Sequence, residues 1–270
     1  GWFGVNTGWK RVWGMGGGAG VVSVGAGGTL LGAGLPSVPQ TLLRIGALPS
    51  DGPAHGWIHA SQKRQPQPPL NGDAEAPWVV IGGGFTGLAA ARQLALNFPD
   101  DRVILVEAQQ VGFGTSGRNA GFLIDVPHDI GAPDYIGDQT IARNILHLNQ
   151  TGQRILHDLV EQYHITEAQL RHVGKYQAAV EDSGIAVLEA YHGGLQKLGQ
   201  PATLIDGKDL PDHIGTKFYR KALYTPGTML AQPSGLVKGL ADNLPENVTL
   251  YEDTPITAVE YEPQIVLHHP

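Results

Sequence analysis

An α/β fold in two parts is expected for this chain, on three observations. Between Trp78 and Glu107 an apolar run, a glycine cluster, a run of helix formers and a second apolar run follow one another, the pattern of a βαβ unit on a parallel sheet. From residue 136 to 231 helical and strand periods alternate with short turns, as in an α+β region built on an antiparallel sheet. The chain also has 270 residues, 41% of them hydrophobic, which is enough for two cores.

Composition closes several classes. With no cysteine there is no disulfide framework, thiolate metal site or cysteine nucleophile, and a cytoplasmic setting is expected. A formal net charge of −7 argues against a nucleic-acid surface over the whole chain. Glycine is in excess at 38 residues, and 13 of these fall within the first 34.

Taken in order, residues 1–40 read as a Gly-rich low-complexity arm. The uncharged stretch 12–35 after Lys10-Arg11 has the outline of a leader or membrane anchor. Half of it is Gly and Ala, however, which contribute little transfer energy, so membrane association is not expected. Residues 41–76 form a linker or an arm lying on the surface, Pro-, Gln- and charge-rich over 61–77. A chain that starts at Gly1 and stops at Pro270, just after an expected strand, reads as cut, and a fold truncated at its C-terminus is expected.

The chemistry concentrates in residues 77–135. Trp78–Ile81 predicts a buried parallel strand, and Gly82-Gly83-Gly84-Phe85-Thr86-Gly87 follows it as G-x-G-x-x-G. Leu88–Ala95 continues as a helix, and Val103–Val106 forms a second strand closing on Glu107. Gly82 permits the tight turn, Gly84 lets backbone approach a diphosphate, and Gly87 allows helix and sheet to pack closely. The helix N-terminus offers free N–H groups to the phosphates, while Glu107 would bond the ribose hydroxyls and repel a 2′-phosphate. A second match, Gly112-Phe113-Gly114-Thr115-Ser116-Gly117, has no strand before it and no amphipathic helix after it, and does not count as a second fingerprint.

After Glu107 the chain runs through a small-residue loop, Gly112–Phe122, with Ser116-Gly117-Arg118-Asn119 at its centre. Here the chain resembles the D-amino-acid oxidase/glycine oxidase family of FAD-dependent amine oxidoreductases, whose glycine motif, strand-end acid and G-x-S-G-R-N-x-G loop occur in this order. The variant looks most like the branch acting on amines such as γ-glutamylputrescine. Glu252-Asp253-Thr254-Pro255-Ile256 is a second point of similarity, and the resemblance covers residues 47–270. It implies a Rossmann-type FAD-binding domain of glutathione-reductase-like topology, interrupted by a substrate domain at 136–231 and resumed, incomplete, at 232–270. It further implies that Phe85, Thr86, Glu107, Ala108, Thr115, Ser116, Ala120, Gly121, Phe122 and Ile256 line the FAD together with the glycines. The reaction implied is hydride transfer from the carbon beside a small amine or amino acid to the flavin, with oxygen or a respiratory carrier as electron acceptor. Two alternatives stay open: a non-catalytic fragment of such an enzyme, and another flavoenzyme such as an NAD(P)H-dependent hydroxylase.

In the remainder, Ile141, Ile145, Leu148, Ile155, Leu159 and Tyr163 predict the core-facing stripe of an amphipathic helix over 140–163. Val173–Val180 reads as a strand, and Asp182-Ser183 as the cap of a helix ending at Gly199. Strand and turn are expected over 216–231, a helix over Pro233–Asn243 and two strands over Val248–Glu260. Catalytic residues are not assignable. His55 and His59 have an i, i+4 spacing, but in a Pro/Gly-rich segment not expected to be helical, and no metal is expected. His128 is read as a turn residue, and the Asn149 and Asn247 sequons as incidental.

Overall fold

The computed structural model describes residues 20–23, 42–46, 55–261 and 264–270, in two units. One comprises residues 1–119 and 233–270, the other Ala120–Gln232. Most of the 1–40 arm lies outside the described residues. The exception is β1 (Gly20–Ser23), a strand inside the stretch read as low-complexity. β2 (Leu42–Arg44) and α1 (Gly56–Ala60) come next. α1 is one helical turn with His59 inside it, against the expectation that this segment is not helical.

The βαβ unit is where the spacing placed it: β3 (Trp78–Ile81), α2 (Phe85–Asn97) and β4 (Val103–Val106). Leu88, Ala91 and Ala95 of α2 are buried against the sheet, and all four residues of β4 are buried, as a strand covered on both faces requires. The far end of the unit is closed by Trp78, which stacks on Phe98 at 4.8 Å and donates from Nε1 to Asp101 Oδ2 at 2.9 Å. α3 (Thr115–Arg118), a single turn, ends this segment.

The second unit holds two antiparallel sheets. β5 (Phe122–Leu123) precedes the long α4 (Gln139–Gln162), β6 (Arg171–His172), β7 (Lys175–Ala179) and α5 (Asp182–Lys197). β8 (Thr203–Asp206), α6 (Leu210–Ile214), β9 (Lys221–Thr225) and β10 (Met229–Leu230) complete it. The sheet orders are β7-β9-β8 and β5-β10-β6. Asp138 caps α4, its carboxylate accepting from the backbone N–H of Thr140 and Ile141 at 2.9 Å. α5 starts at Asp182 with Glu181 at the cap position, one residue earlier than expected; Asp182 pairs with Arg220 at 2.7 Å rather than capping.

α4 corrects one expectation. Its buried positions are Ala142, Leu146, Gln153 and Val160, whereas Ile141 and Ile155 are 60% and 52% exposed. The period was right and the face wrong. The helix buries the row beside its most apolar one, and in that row Gln153 donates from Nε2 to the carbonyls of Leu123 in β5 (2.7 Å) and of Gly227 in the turn between β9 and β10 (3.2 Å).

Tyr191 of α5 anchors the core of this unit among Leu146, Leu188, Leu195 and Leu223. Its hydroxyl donates to Pro127 O at 2.6 Å, and burial pushes its pKa up. The unfolded chain therefore releases this proton near the ordinary tyrosine pKa of about 10, while the folded chain keeps it, so stability falls as pH rises past that value. Tyr191→Phe is expected to cost about 1–2 kcal/mol at neutral pH and to flatten the alkaline fall, as measured by urea unfolding between pH 7 and 11.

The chain then returns to the first unit through α7 (Pro233–Asp242), β11 (Val248–Tyr251), β12 (Ala258–Glu260) and β13 (Val266–His268). The result is a parallel sheet ordered β1-β3-β4-β11 and an antiparallel one ordered β13-β12-β2. β11 aligns with β4 from Val248↔Val103 to Tyr251↔Val106, which brings Glu252 level with Glu107. Asn247 holds the entry to β11 by donating from Nδ2 to the carbonyls of Ala95, Phe98 and Asp101, so this sequon residue has a structural task. Among the described residues no helix is long and apolar enough to cross a membrane.

Candidate functional site

The first glycine turn has the geometry its spacing implies. Gly82 has φ +102° and donates its N–H to Val106 O at 2.7 Å, tying the end of β3 to the end of β4. A Cβ on Gly87 would stand 1.8 Å from Gly82 O, so only hydrogen fits there. Gly84 is extended at the N-cap of α2 and brings no capping side chain. The first orphan donor of the helix, Phe85 N–H, bonds instead to Ser116 Oγ at 3.0 Å. That leaves the Ser116 O–H free to donate elsewhere.

The second glycine turn is built in the same way. Gly112 has φ +94°, and a Cβ on Gly117 would stand 2.0 Å from Gly112 O. Gly114 is extended at the N-cap of α3, as Gly84 is for α2. It follows no strand and opens only a four-residue helix, as the sequence indicated, yet its backbone repeats that of the first glycine turn. The Ser116 bond brings it against the start of α2. Arg118 Nε donates to Phe113 O, and Asn119 Nδ2 donates to Ser116 O at 2.8 Å, so these two side chains brace the turn.

Glu107 lies over the first turn. Its Oε2 accepts from Gly83 N at 2.6 Å and its Oε1 from Gln109 N at 3.0 Å, which leaves each oxygen a further lone pair. Its own N–H donates to Tyr251 O at 2.8 Å, and its carbonyl accepts from Thr254 N at 2.9 Å. Ala108 is half-buried, and Ile256 is buried among Ile104, Val106 and Val259. Thr86 and Thr115 are exposed. In the first unit, then, the structure brings together Gly82, Gly84, Phe85, Gly87, Glu107 and Ser116.

The other predicted residues, Ala120, Gly121 and Phe122, belong to the second unit. Gly121 O accepts from Ala231 N at 2.8 Å, and Phe122 lies in β5, exposed. His128, also in this unit, packs on Tyr135 at 4.5 Å and edge-on to Tyr191 at 5.7 Å. Burial, and secondarily the charge of Lys175, lower its pKa. Among the described residues no group of three or more His, Asp or Glu is placed to hold a metal ion.

Residues 77–268 match the family model described as FAD dependent oxidoreductase, DAO. The chain belongs to this FAD dependent oxidoreductase family. It is 28% identical over 208 residues to gamma-glutamylputrescine oxidoreductase of Escherichia coli (strain K12), covering 76% of this chain and 48% of that protein. It is likewise 28% identical to the probable oxidoreductase OrdL of Rhizobium meliloti (strain 1021), over 77% of this chain and 49% of that one. Among solved structures, glycine oxidase from Geobacillus kaustophilus has the same fold, with a TM-score of 0.57 at 20% identity, covering 71% of this chain and 50% of the other. The chain thus spans about half the length of the curated relatives it matches.

The residues present fit the family's FAD. The first turn presents backbone where a Cβ cannot stand, α2 starts with no acid in its first turn, and Glu107 keeps acceptor capacity beside the turn.

One group of residues went unassigned in the sequence. Glu252 is fully buried, and Arg64, from the stretch read as a linker, bonds to it. The motif around Glu252 was visible, but nothing local in the sequence pairs it with a residue 188 positions away.

Proposed function

We propose that the chain is the nucleotide-binding part, with an adjoining antiparallel-sheet unit, of an enzyme that oxidises the C–N bond of a small amine or amino acid. The observation that carries this reading is the first glycine turn with Glu107 bonded over it. FAD, when bound, supplies the acceptor for a hydride from the carbon that bears the amine.

The roles in the first unit follow from position. Gly82, Gly84, Phe85, Thr86 and Gly87 receive the diphosphate on the N-terminus of α2, where N–H groups and helix dipole favour negative charge. Ser116 bonds Phe85 N–H and can donate its own proton to a phosphate oxygen, and Thr115 stands beside it. Glu107 accepts from the ribose hydroxyls on its spare lone pairs and repels a 2′-phosphate, which favours FAD over an NADP-type ligand. Ala108 and the backbone at Ile256 border the adenine.

The substrate class is supported by the relatives' names, one a derivative of the amine putrescine and one an oxidase of the amino acid glycine. Oxygen or a respiratory carrier completes the cycle, and the cysteine-free composition suits work in the cytoplasm. Purified chain, equilibrated with FAD and desalted, is expected to keep a flavin absorbance band near about 450 nm, which amine bleaches anaerobically without NADPH. A colourless protein overturns the FAD site. A band bleached by NADPH and not by any amine overturns the substrate class.

A further inference from the structure

We infer that Arg64 and Glu252 are positioning residues of the nucleotide site, and that the strap formed by residues 61–70 closes together with the nucleotide. The inference rests on the FAD reading above and extends it to a segment that bonds to Glu252 and Thr254.

The Glu252 carboxylate is 0% exposed and has every bond it needs inside the protein. Its Oε2 accepts from Arg64 Nη1 at 2.5 Å and from the backbone N–H of Gln67 at 2.6 Å, both in the strap. Its Oε1 accepts from Val111 N at 2.7 Å, at the far end of the loop that begins with Glu107. One carboxylate therefore joins the strap to the segment carrying the ribose acid.

The neighbouring bonds act on the same segment. Gln109 O accepts from Asp253 N at 2.9 Å, so residues 107–111 are held along their length by 251–254. The strap is tied down further along by Leu70 N–H, which donates to Thr254 Oγ1 at 3.0 Å, while the Thr254 hydroxyl donates to Glu252 O at 2.9 Å. Just ahead of the strap, His55 Nε2 donates to Gly112 O at 3.1 Å, the first residue of the second glycine turn.

A buried ion pair adds little net stability, and two well-packed apolar side chains would hold a strap as firmly. What apolar side chains cannot supply is an acceptor for Val111 N–H on one side and for Arg64 on the other. Loop position and strap closure are thereby coupled, and the coupling is reciprocal: a nucleotide that orders the Glu107 loop also holds the strap shut.

Lys63 is exposed near the start of the strap, and trypsin cleavage after it is expected to require that the strap lift. In the full chain, saturating FAD or ADP is expected to slow cleavage at Lys63–Arg64 about tenfold, whereas FMN, which lacks the adenosine half, does not. Glu252→Gln is expected to weaken FAD and ADP binding about tenfold and to make cleavage fast and independent of nucleotide. Thr254→Val removes the acceptor of Leu70 N–H and the hydroxyl donor to Glu252 O, and leaves the Glu252 carboxylate with all its partners. It is expected to speed cleavage severalfold while ADP still protects in part, and it serves should Glu252→Gln not fold. Cleavage of the wild type at one rate with and without bound ADP overturns the inference and leaves the FAD reading standing, as does a Glu252→Gln protein that melts earlier but binds ADP as the wild type does. A wild type that binds neither FAD nor ADP overturns the FAD reading, and the inference with it.

Discussion

Gly87→Ala is expected to abolish FAD retention and to destabilise the chain by more than about 3 kcal/mol, above the usual cost of overpacking. The added Cβ would stand 1.8 Å from Gly82 O and 3.0 Å from Gly82 C, both backbone atoms. No rotamer change relieves that contact. Either α2 moves away from β3, withdrawing its N-terminus from the turn, or the turn itself opens. Both lose the N–H groups on which the diphosphate reading depends. Gly117→Ala meets Gly112 O at 2.0 Å and is expected to behave alike, because the second turn is built as the first. Equilibrium unfolding in urea together with titration by FAD checks both. A Gly87→Ala protein with the wild-type midpoint and affinity refutes the account.

Arg64→Met is expected to cost about 3–5 kcal/mol in unfolding free energy, the range for leaving one buried charge without its partner. The Arg64 side chain is only 8% exposed and Glu252 not at all. Burial works against the guanidinium charge, yet the bonds to Glu252 and Asp242 outweigh it and raise the Arg64 pKa. Methionine fills the same channel with an apolar stem and leaves the carboxylate with backbone donors alone. Arg64→Met/Glu252→Gln is expected to recover part of the loss, since a neutral amide costs less to bury than a carboxylate. Guanidinium unfolding of the wild type, Arg64→Met, Glu252→Gln and the double variant closes the cycle. A single-variant loss below about 1 kcal/mol contradicts the buried-pair account.

The βαβ unit was legible because each of its signals is local. Strand, turn and helix occupy Trp78–Asn97 in one unbroken run, and the three glycines meet requirements set within six residues. The same holds for the strands at Val248–Tyr251 and Ala258–Glu260, where apolar residues gather between turns. α4 shows where local signals stop. A helical period marks a helix but not which of two adjacent rows is buried, and Gln153, a polar residue, takes an inward position where it donates to one strand carbonyl and one turn carbonyl. The second glycine turn shows the converse. Rejected for want of a flanking strand and long helix, it still has the conformation of the first, because the conformation depends on Gly112 and Gly117 rather than on what flanks them.

The first glycine turn, the acid that follows β4 and the family are each written in residues that are neighbours along the chain. Tertiary structure alone decided which face of α4 is covered, that Gly20–Ser23 joins the parallel sheet as a strand, and that Arg64 meets Glu252 beneath the strap. The physical reason is range. A glycine's φ and a strand's alternation are fixed by adjacent atoms, whereas a buried carboxylate takes its donors from whatever the packing brings within hydrogen-bond reach, here from residues 64, 67 and 111.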